Sequence, residues 1–105
     1  MDGEGAGVLL ADGEDDVRAW LAQTPRAPFI AVDTETTGFD PWVDKLRTIQ
    51  LAADPGEPVL VIDTARLPPA VLVDVLADPG VLKVFHNAAF DLRMLWRAGL
   101  EVVRV

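Results

Sequence analysis

The chain has 105 residues, half of them hydrophobic, which suits one small domain with a single core. A net charge of −8 excludes a broad basic surface of the kind that holds duplex DNA, so any contact with nucleic acid is expected to be local. The lack of cysteine excludes disulfides, thiolate zinc sites and cysteine nucleophiles, and leaves oxygen-ligated metals as the inorganic partner to expect.

The predicted elements begin with a short strand at Val8–Leu10. Next, Val17, Trp20 and Leu21 recur at helical spacing behind several acids, which predicts a short amphipathic helix. No basic segment precedes an apolar stretch at the N-terminus, and no apolar run approaches the ~20 residues that span a membrane. These features predict a soluble cytoplasmic protein without a membrane partner.

Three strands are predicted after this helix. An apolar run opens at residue 29 and leads into turn chemistry, which gives a first core strand over residues 29–35. Residues 46–53 and 59–63 are two more strands. The turn Asp54-Pro55-Gly56 between them is so short that the two strands must be antiparallel neighbours.

Helices and strands alternate in the remaining sequence. We predict a helix from Pro68-Pro69 to about residue 77, a strand at 81–85, a helix at 88–98 and the start of a strand at 102–105. In the second of these helices, Leu92, Leu95 and Trp96 are expected on the inner stripe. Right-handed crossovers then place the fourth core strand parallel to the first and beside it. The order is that of an α/β, RNase H-like fold with a mixed five-stranded sheet and flanking helices, incomplete at the C-terminus.

Two carboxylates stand two residues apart at the end of the first core strand. A strand period of two puts Asp33 and Glu35 on the same face. Their charges repel each other unless a divalent cation neutralises them, and hard oxygen ligands suit Mg²⁺ or Mn²⁺. The alternative is that these polar residues only solvate a turn, because the Asp-x-Glu spacing is common.

A second acidic group follows the fourth strand, in the segment His86-Asn87-Ala88-Ala89-Phe90-Asp91. Asn87 and Asp91 lie four residues apart and share one face of the helix start, so Asp91 is expected to point back toward the first strand. The alternative assigns Asp91 to a favourable position in the helix dipole and Asn87 to the N-cap. Both roles can coexist.

The two clusters together resemble the first two motifs of the DEDD superfamily of 3′-5′ exonucleases. Residues 33–38, Asp-Thr-Glu-Thr-Thr-Gly, are similar to the first motif, and residues 87–95 are similar to the second. The separation between the motifs, filled by the expected strands and helix, is more specific than either motif alone. Asn87 with Phe90-Asp91 is more similar to the proofreading domains of family A DNA polymerases than to RNase D, whereas residues 49–52, Ile-Gln-Leu-Ala, occur in both groups.

This resemblance implies a metal-dependent 3′-5′ exonuclease. It would hydrolyse terminal phosphodiesters of single-stranded nucleic acid, DNA favoured over RNA, to nucleoside 5′-monophosphates with two Mg²⁺ or Mn²⁺ ions. The resemblance also implies a role as the proofreading part of a DNA polymerase, with a polymerase domain or subunit as partner. In this family Asp33 would bridge both ions, Glu35 would ligate the first, and Asp91 would hold the second directly or through water.

The resemblance also implies a set of substrate-binding residues. Thr36 and Asn87 would hydrogen-bond the terminal nucleotide, Phe39 would wedge against the last base, and Phe90 completes the set. For Phe39, a turn residue tucked onto the core is the alternative. Residues 28–105 then form a partial exonuclease domain, and residues 1–27 form an N-terminal extension with the short helix.

One part of the family pattern has no counterpart up to Val105. The fourth carboxylate and its companion Tyr or His, on a helix after the fifth strand, would complete the ligands of the first ion and orient the attacking water. We therefore expect this chain by itself to be weakly active or inactive. The alternatives are an inactive metal- or nucleic-acid-binding fragment of the same fold, and RNase D-like processing of RNA 3′ ends. A phosphatase is disfavoured because Glu35 occupies the place of its second Asp.

Several other residues have two interpretations. His86, the one histidine, favours a structural hydrogen-bonding role, because a lone histidine without cysteines cannot build a zinc site. Trp42 favours covering the core edge over touching a nucleic-acid strand. Four basic residues are candidates for phosphate contacts, with solvated surface charge as the alternative: Lys45, Arg47, Arg93 and Arg97.

Overall fold

The computed structural model describes residues 7–23, 29–38, 44–53, 57–103 and 105. Within them the elements follow the predicted order. They are β1 (Val8–Leu10), α1 (Glu14–Ala22), β2 (Ile30–Thr36), β3 (Leu46–Ala52), β4 (Val59–Asp63), a 3₁₀ turn (Pro69–Leu72), α2 (Val73–Ala77), β5 (Lys83–Phe85) and α3 (Ala88–Arg97). None of the helices in these ranges is long and apolar enough to cross a membrane.

The strands form one mixed sheet in the order β1-β4-β3-β2-β5. β3 is antiparallel to both β2 and β4, as the short connection between β3 and β4 requires. β5 returns through α2 and lies parallel to β2, with Val32 opposite Phe85. The predicted α/β class is therefore confirmed, and so is the contact between the first and fourth core strands that brings the two acidic motifs together.

The fifth strand is not the one predicted from the sequence. Residues 102–105 were expected to add it, but the fifth strand of the sheet is β1. This strand pairs in parallel with β4, with Val8 opposite Val59, at the edge opposite β5. No strand is found at positions 102, 103 or 105. The Val103 amide instead donates to the Leu76 carbonyl at the end of α2, at 2.9 Å. The alternating apolar residues of this segment fit a strand locally, but its backbone hydrogen bond is made with a helix end.

The core lies between the sheet and the helices. It is built from the inward positions of β2, β3 and β4 together with residues of the helices and of the 3₁₀ turn, among them Val17, Trp20, Val32, Ile49, Leu51, Leu60, Ile62, Leu72, Leu76 and Leu95. α1 and β1 belong to this same core and sheet. The predicted boundary between residues 27 and 28 falls outside the described residues and stays a prediction.

The inner stripe of α3 shares Leu95 with the prediction, but Leu92 is only half-buried and Trp96 is not part of it. Asp91, Met94 and Leu95 are buried, whereas Trp96 is 74% exposed. Each helical residue turns by about 100°, so a core contact centred on residues 91, 94 and 95 carries position 96 round toward solvent. The prediction places Trp96 inside because it follows Leu92 and Leu95 at helical spacing, but Asp91 and Met94 take part in the stripe instead.

A buried lysine joins three separate segments. Lys83 on β5 is 1% exposed, and its ammonium group donates to the Val103 carbonyl at 2.7 Å and to the carbonyl of Asp78, the C-cap of α2. A buried charge is tolerated only where hydrogen bonds replace its lost hydration, which these carbonyls provide. Lys83 therefore ties the segment after α3 to the end of α2.

Candidate active site

The end of β2 places acidic and hydroxyl side chains on opposite faces of the sheet. Asp33 and Glu35 are exposed, while Thr34 between them is half-buried on the side that Val32 shares with the core. The pairing with β3 shifts between Glu35 and Thr36, an irregularity that ends the regular strand there. The two carboxylates thus lie on one face, at the point where the strand stops.

Asp91 reaches the same strand from the first turn of α3. It is 2% exposed, and its Oδ1 accepts a hydrogen bond of 2.5 Å from the Thr34 hydroxyl. Its Oδ2 is buried and has no hydrogen-bond partner among the residues that the structure describes. Leaving such an oxygen unpaired costs about 1–3 kcal/mol, so this atom is poised to accept a ligand.

The surroundings of Asp91 disfavour its negative charge. Burial raises the pKa of the Asp91 carboxyl, and the negative charge of Asp33 raises it further. The Thr34 hydrogen bond and the nearby His86 act in the opposite direction. Two of the predicted metal ligands, Asp33 and Asp91, thus lie close enough for the charge of one to act on the other.

One cleft of about 560 Å³ contains all three carboxylates. Asp33, Glu35 and Asp91 line it, together with three of the four predicted substrate-binding residues: Thr36, Asn87 and Phe90. The fourth, Phe39, lies outside the described residues, as does Trp42. The crossover that pairs β5 with β2 is what brings residues from two distant motifs to one opening.

The carboxylates share this cleft without forming a finished cation cage. Across the described ranges, no three acidic, histidine or cysteine side chains are grouped so as to hold a metal ion. Asp33 and Glu35 lie on the opposite strand face from Thr34, the residue that Asp91 contacts. The ligand chemistry still fits a hard divalent cation, because each of the three candidate ligands is a carboxylate and Oδ2 of Asp91 has no partner within the described ranges.

The turn after β2 is fixed at the edge of the cleft by hydroxyl groups. Thr36 donates to the Gly38 carbonyl, and Thr37 donates to the Asp44 carboxylate at 2.9 Å. The Lys45 amide donates to the Thr37 hydroxyl at 2.9 Å. A Cβ on Gly38 would lie 2.5 Å from Oδ2 of Asp44, so a side chain there would require this carboxylate to move.

The side chains of Asn87 and His86 do not make the hydrogen bonds that a purely structural role would require. Asn87 occupies the N-cap position of α3, but its exposed side chain makes no capping hydrogen bond and instead lines the cleft. The imidazole of His86 is exposed and makes no hydrogen bond in the part of the chain that the structure describes. The structural hydrogen-bonding role predicted for His86 is therefore not found.

Sequence reasoning missed one residue of the site, Thr34. The sequence pattern could have indicated Thr34. It is a hydroxyl residue on the core-facing side of a strand whose preceding inward positions, Ile30 and Val32, are apolar. Arg47, one of the four candidate phosphate contacts, lines the cleft, whereas Lys45, Arg93 and Arg97 do not. The cleft thus combines three carboxylates with one guanidinium group.

Comparison with known proteins gives the family. A family model described as 3′-5′ exonuclease matches residues 10–105. The chain belongs to the 3′-5′ exonuclease family. The predicted resemblance is confirmed, and the exonuclease match begins well before residue 28, within the predicted N-terminal extension.

Relatives of this exonuclease come from both groups that the motifs resemble. Ribonuclease D of Gluconacetobacter diazotrophicus is 34% identical over 91 residues, which cover 82% of this chain and 22% of that protein. DNA polymerase I of Aquifex aeolicus is 30% identical over 89 residues, covering 84% of this chain and 14% of that protein. The chain therefore spans less than a quarter of the length of these relatives.

A solved structure shows the same fold. Trypanosoma brucei RNase D in complex with RNA U12 superposes with a TM-score of 0.77 at 19% identity, over 96% of this exonuclease chain and 37% of that chain. The superposition supports the RNase H-like arrangement of the sheet and helices.

Proposed function

We propose that this exonuclease chain removes nucleotides from the 3′ ends of single-stranded nucleic acid, releasing nucleoside 5′-monophosphates with Mg²⁺ or Mn²⁺. The observation that carries the proposal is the cleft in which Asp33, Glu35 and Asp91 converge from two motifs of the family. DNA is the favoured substrate, because the second motif resembles proofreading domains. The proposal includes a cytoplasmic location and a polymerase domain or subunit as partner, which the DNA polymerase I relative supports.

Asp33, Glu35 and Asp91 are the residues that would hold the cations. When bound, the ions would neutralise these carboxylates and supply positive charge to the scissile phosphate. The raised pKa of Asp91 and its Oδ2, which has no hydrogen-bond partner among the described residues, support this assignment, because a bound cation would stabilise the charge of such a buried carboxylate.

The neighbouring side chains would position substrate and ligands. Thr34 fixes one oxygen of Asp91 by its 2.5 Å hydrogen bond and thereby directs the other oxygen. Arg47 lines the cleft and offers a planar pair of donors for a phosphate. Phe90 and Asn87 present an aromatic ring and an amide on the α3 side, suited to a base and to a sugar or base edge.

RNA is a second candidate substrate. The Ribonuclease D relative and the T. brucei RNase D complex with RNA U12 support it. The same cleft would serve both substrates, because the proposed chemistry acts on the phosphodiester that DNA and RNA share.

The test is release of mononucleotides from 3′-labelled single-stranded DNA and RNA of matched sequence, with Mg²⁺, with Mn²⁺ and with EDTA. We expect slow release that EDTA abolishes, with DNA cleaved faster than RNA. The rate is expected to be low because the described residues supply three of the four carboxylates that the family resemblance implies. The Asp33→Ala chain, purified identically, controls for contaminating nucleases and should release only background label.

Two results would contradict the proposal. Equal release by the Asp33→Ala chain would show that the activity does not come from this cleft. No release from a folded native chain with either cation would favour the inactive fragment instead. Faster cleavage of RNA would keep the exonuclease but reverse its substrate preference.

Thr34 offers a further prediction about the metal site. Thr34→Val keeps the side-chain shape but removes the hydroxyl that orients Asp91, so we expect the affinity for Mn²⁺ to fall about 10- to 100-fold. Thr34→Ser keeps the hydroxyl and should restore most of the affinity. Calorimetric titration of the three chains with Mn²⁺ checks this, and equal affinity of the Val variant would show that the hydrogen bond does not position a ligand.

A further inference from the structure

The exposed face of α3 carries an aromatic ring that the core does not use. Trp96 is 74% exposed, whereas Trp20 is 1% exposed and donates its indole N–H to the Pro58 carbonyl at 2.7 Å. An indole is a large apolar surface with a polar edge, and such rings dominate the energetics of interfaces when they are covered. Trp96 therefore offers solvent a stacking surface.

Two arginines on the same helix have no acidic partner within the described ranges. Arg93 and Arg97 are both exposed. By contrast, Arg18 and Arg66 are paired with carboxylates at 2.9–3.3 Å. In a chain of net charge −8, the outer face of α3 thus presents two arginines that no described acid pairs with, while the acidic Glu101 lies in the pocket that Arg93 and Trp96 line.

The two arginines lie next to the cleft. Phe90 lines the cleft, and Arg93 and Arg97 follow it at i+3 and i+7, on the same side of the helix. The Arg97 guanidinium donates to the Asp44 carbonyl at 3.4 Å, next to the turn whose Thr37 lines the cleft.

Around the helix, Arg93 lies between Phe90, which lines the cleft, and Trp96. Along the helix axis, Trp96 is about 7–8 Å from Asp91.

We infer that the α3 strip, defined as Arg93, Trp96 and Arg97, binds the single strand beyond its terminal nucleotide. The arginines match the phosphates in charge and geometry, and the indole matches the face of a base. This inference rests on the proposed function and adds to it a second contact, which would hold the strand while its 3′ end occupies the cleft.

The test measures binding in EDTA, where the metal site contributes nothing and cleavage does not intervene. Fluorescence anisotropy of a labelled ten-nucleotide single strand is compared for the native chain and three variants. Trp96→Ala should weaken binding about 5- to 150-fold, the equivalent of about 1–3 kcal/mol for one stacked base. Trp96→Phe keeps a ring and should retain most of the affinity. Val73→Ala shortens an apolar side chain on α2 that is 42% exposed. This control variant should bind like the native chain.

The arginines have a separate signature in the salt dependence. Replacing both with glutamine should reduce the slope of log K against log salt by about 1.4, since each phosphate contact on a single strand contributes about 0.7. Arg18→Gln, on α1 and already paired with acids, should leave the slope unchanged.

Three results would overturn the inference. They are native-like binding by Trp96→Ala, an unchanged salt slope in the double arginine variant, and an altered sedimentation coefficient of Trp96→Ala with unaltered binding, which would make this face a protein contact. Failure of the proposed function is distinguishable, because it shows as absent metal-dependent cleavage while strand binding in EDTA is measured independently.

Discussion

Asp91→Asn is expected to stabilise the metal-free chain at pH 7 while it reduces nucleotide release at least about 100-fold. The stabilisation arises because the native carboxylate is buried and its pKa is raised, so its negative charge is disfavoured in the folded chain. The asparagine removes the buried charge and keeps an oxygen that accepts from Thr34. The loss of release arises because an amide is a far poorer ligand for a hard cation than a carboxylate.

The effect has a defined dependence on pH. Burial raises the pKa of Asp91 in the folded chain above its ordinary value of 3.8, so the folded state binds the proton more tightly than the unfolded state. The native chain therefore loses stability as pH rises from about this ordinary value through the raised pKa. The advantage of the Asn variant should be absent below that range, grow through it, and level off above it.

Divalent cations should make the native chain more stable than the Asp91→Asn variant. A ligand present at 100 times its dissociation constant stabilises the folded state by about 2.7 kcal/mol, and the Asn variant should lose most of this gain. Thermal unfolding of both chains, with EDTA and with saturating Mn²⁺, measures both halves of the prediction. Asp74→Asn, which neutralises an exposed acid on α2, is the control for net charge. A variant less stable than the native chain in EDTA at pH 7 would contradict the assignment of an uncompensated carboxylate.

Lys83→Met is expected to lower the free energy of unfolding by about 2–4 kcal/mol, because each hydrogen bond from a charged group contributes about 1.5–3 kcal/mol. Methionine fills nearly the same volume, so the change isolates the ammonium group from packing. The Val103 carbonyl would lose the donor at 2.7 Å, and the Asp78 carbonyl would keep only its bond from the Val81 amide. Part of the loss is offset because a charge need no longer be buried.

The measurement is the urea midpoint and the melting temperature, which should fall by on the order of 10 °C. Lys45→Met, at an exposed position, is the matched control and should change little. Hydrogen exchange should show the largest loss of protection at the Val103 amide, which pairs with Leu76. A Lys83 variant as stable as the control would show that the segment after α3 does not depend on this contact.

Local patterns were sufficient for most of the fold. The spacing of Val17 and Trp20 gave α1, and the apolar runs gave β2, β3 and β4 to within a residue or two at their ends. These predictions succeeded because each element buries one face, and the residues that fill that face recur at the period of the element. The parallel pairing of β2 with β5 followed from the handedness of the crossover.

The sequence was insufficient where a segment could pair or pack with more than one part of the fold. Residues 102–105 alternate like a strand, yet Val103 pairs with the end of α2 and β1 provides the fifth strand. Trp96 has the hydrophobicity of a core residue, yet the orientation of α3 exposes it. Hydrogen bonds and burial depend on which surfaces meet, and a local pattern does not contain that information.

By itself, the sequence determined the α/β class, the two acidic motifs, the oxygen-donor chemistry of any metal site, and the resemblance to 3′-5′ exonucleases. Only the tertiary structure decided that Asp91 is buried against Thr34, with one oxygen that no described residue pairs with, and that Arg93, Trp96 and Arg97 are all exposed on α3. The physical reason is separation along the chain. Motif chemistry is set by residues a few positions apart, whereas Thr34 and Asp91 are brought together by the crossover that sets β5 beside β2 and begins α3 at the end of that strand.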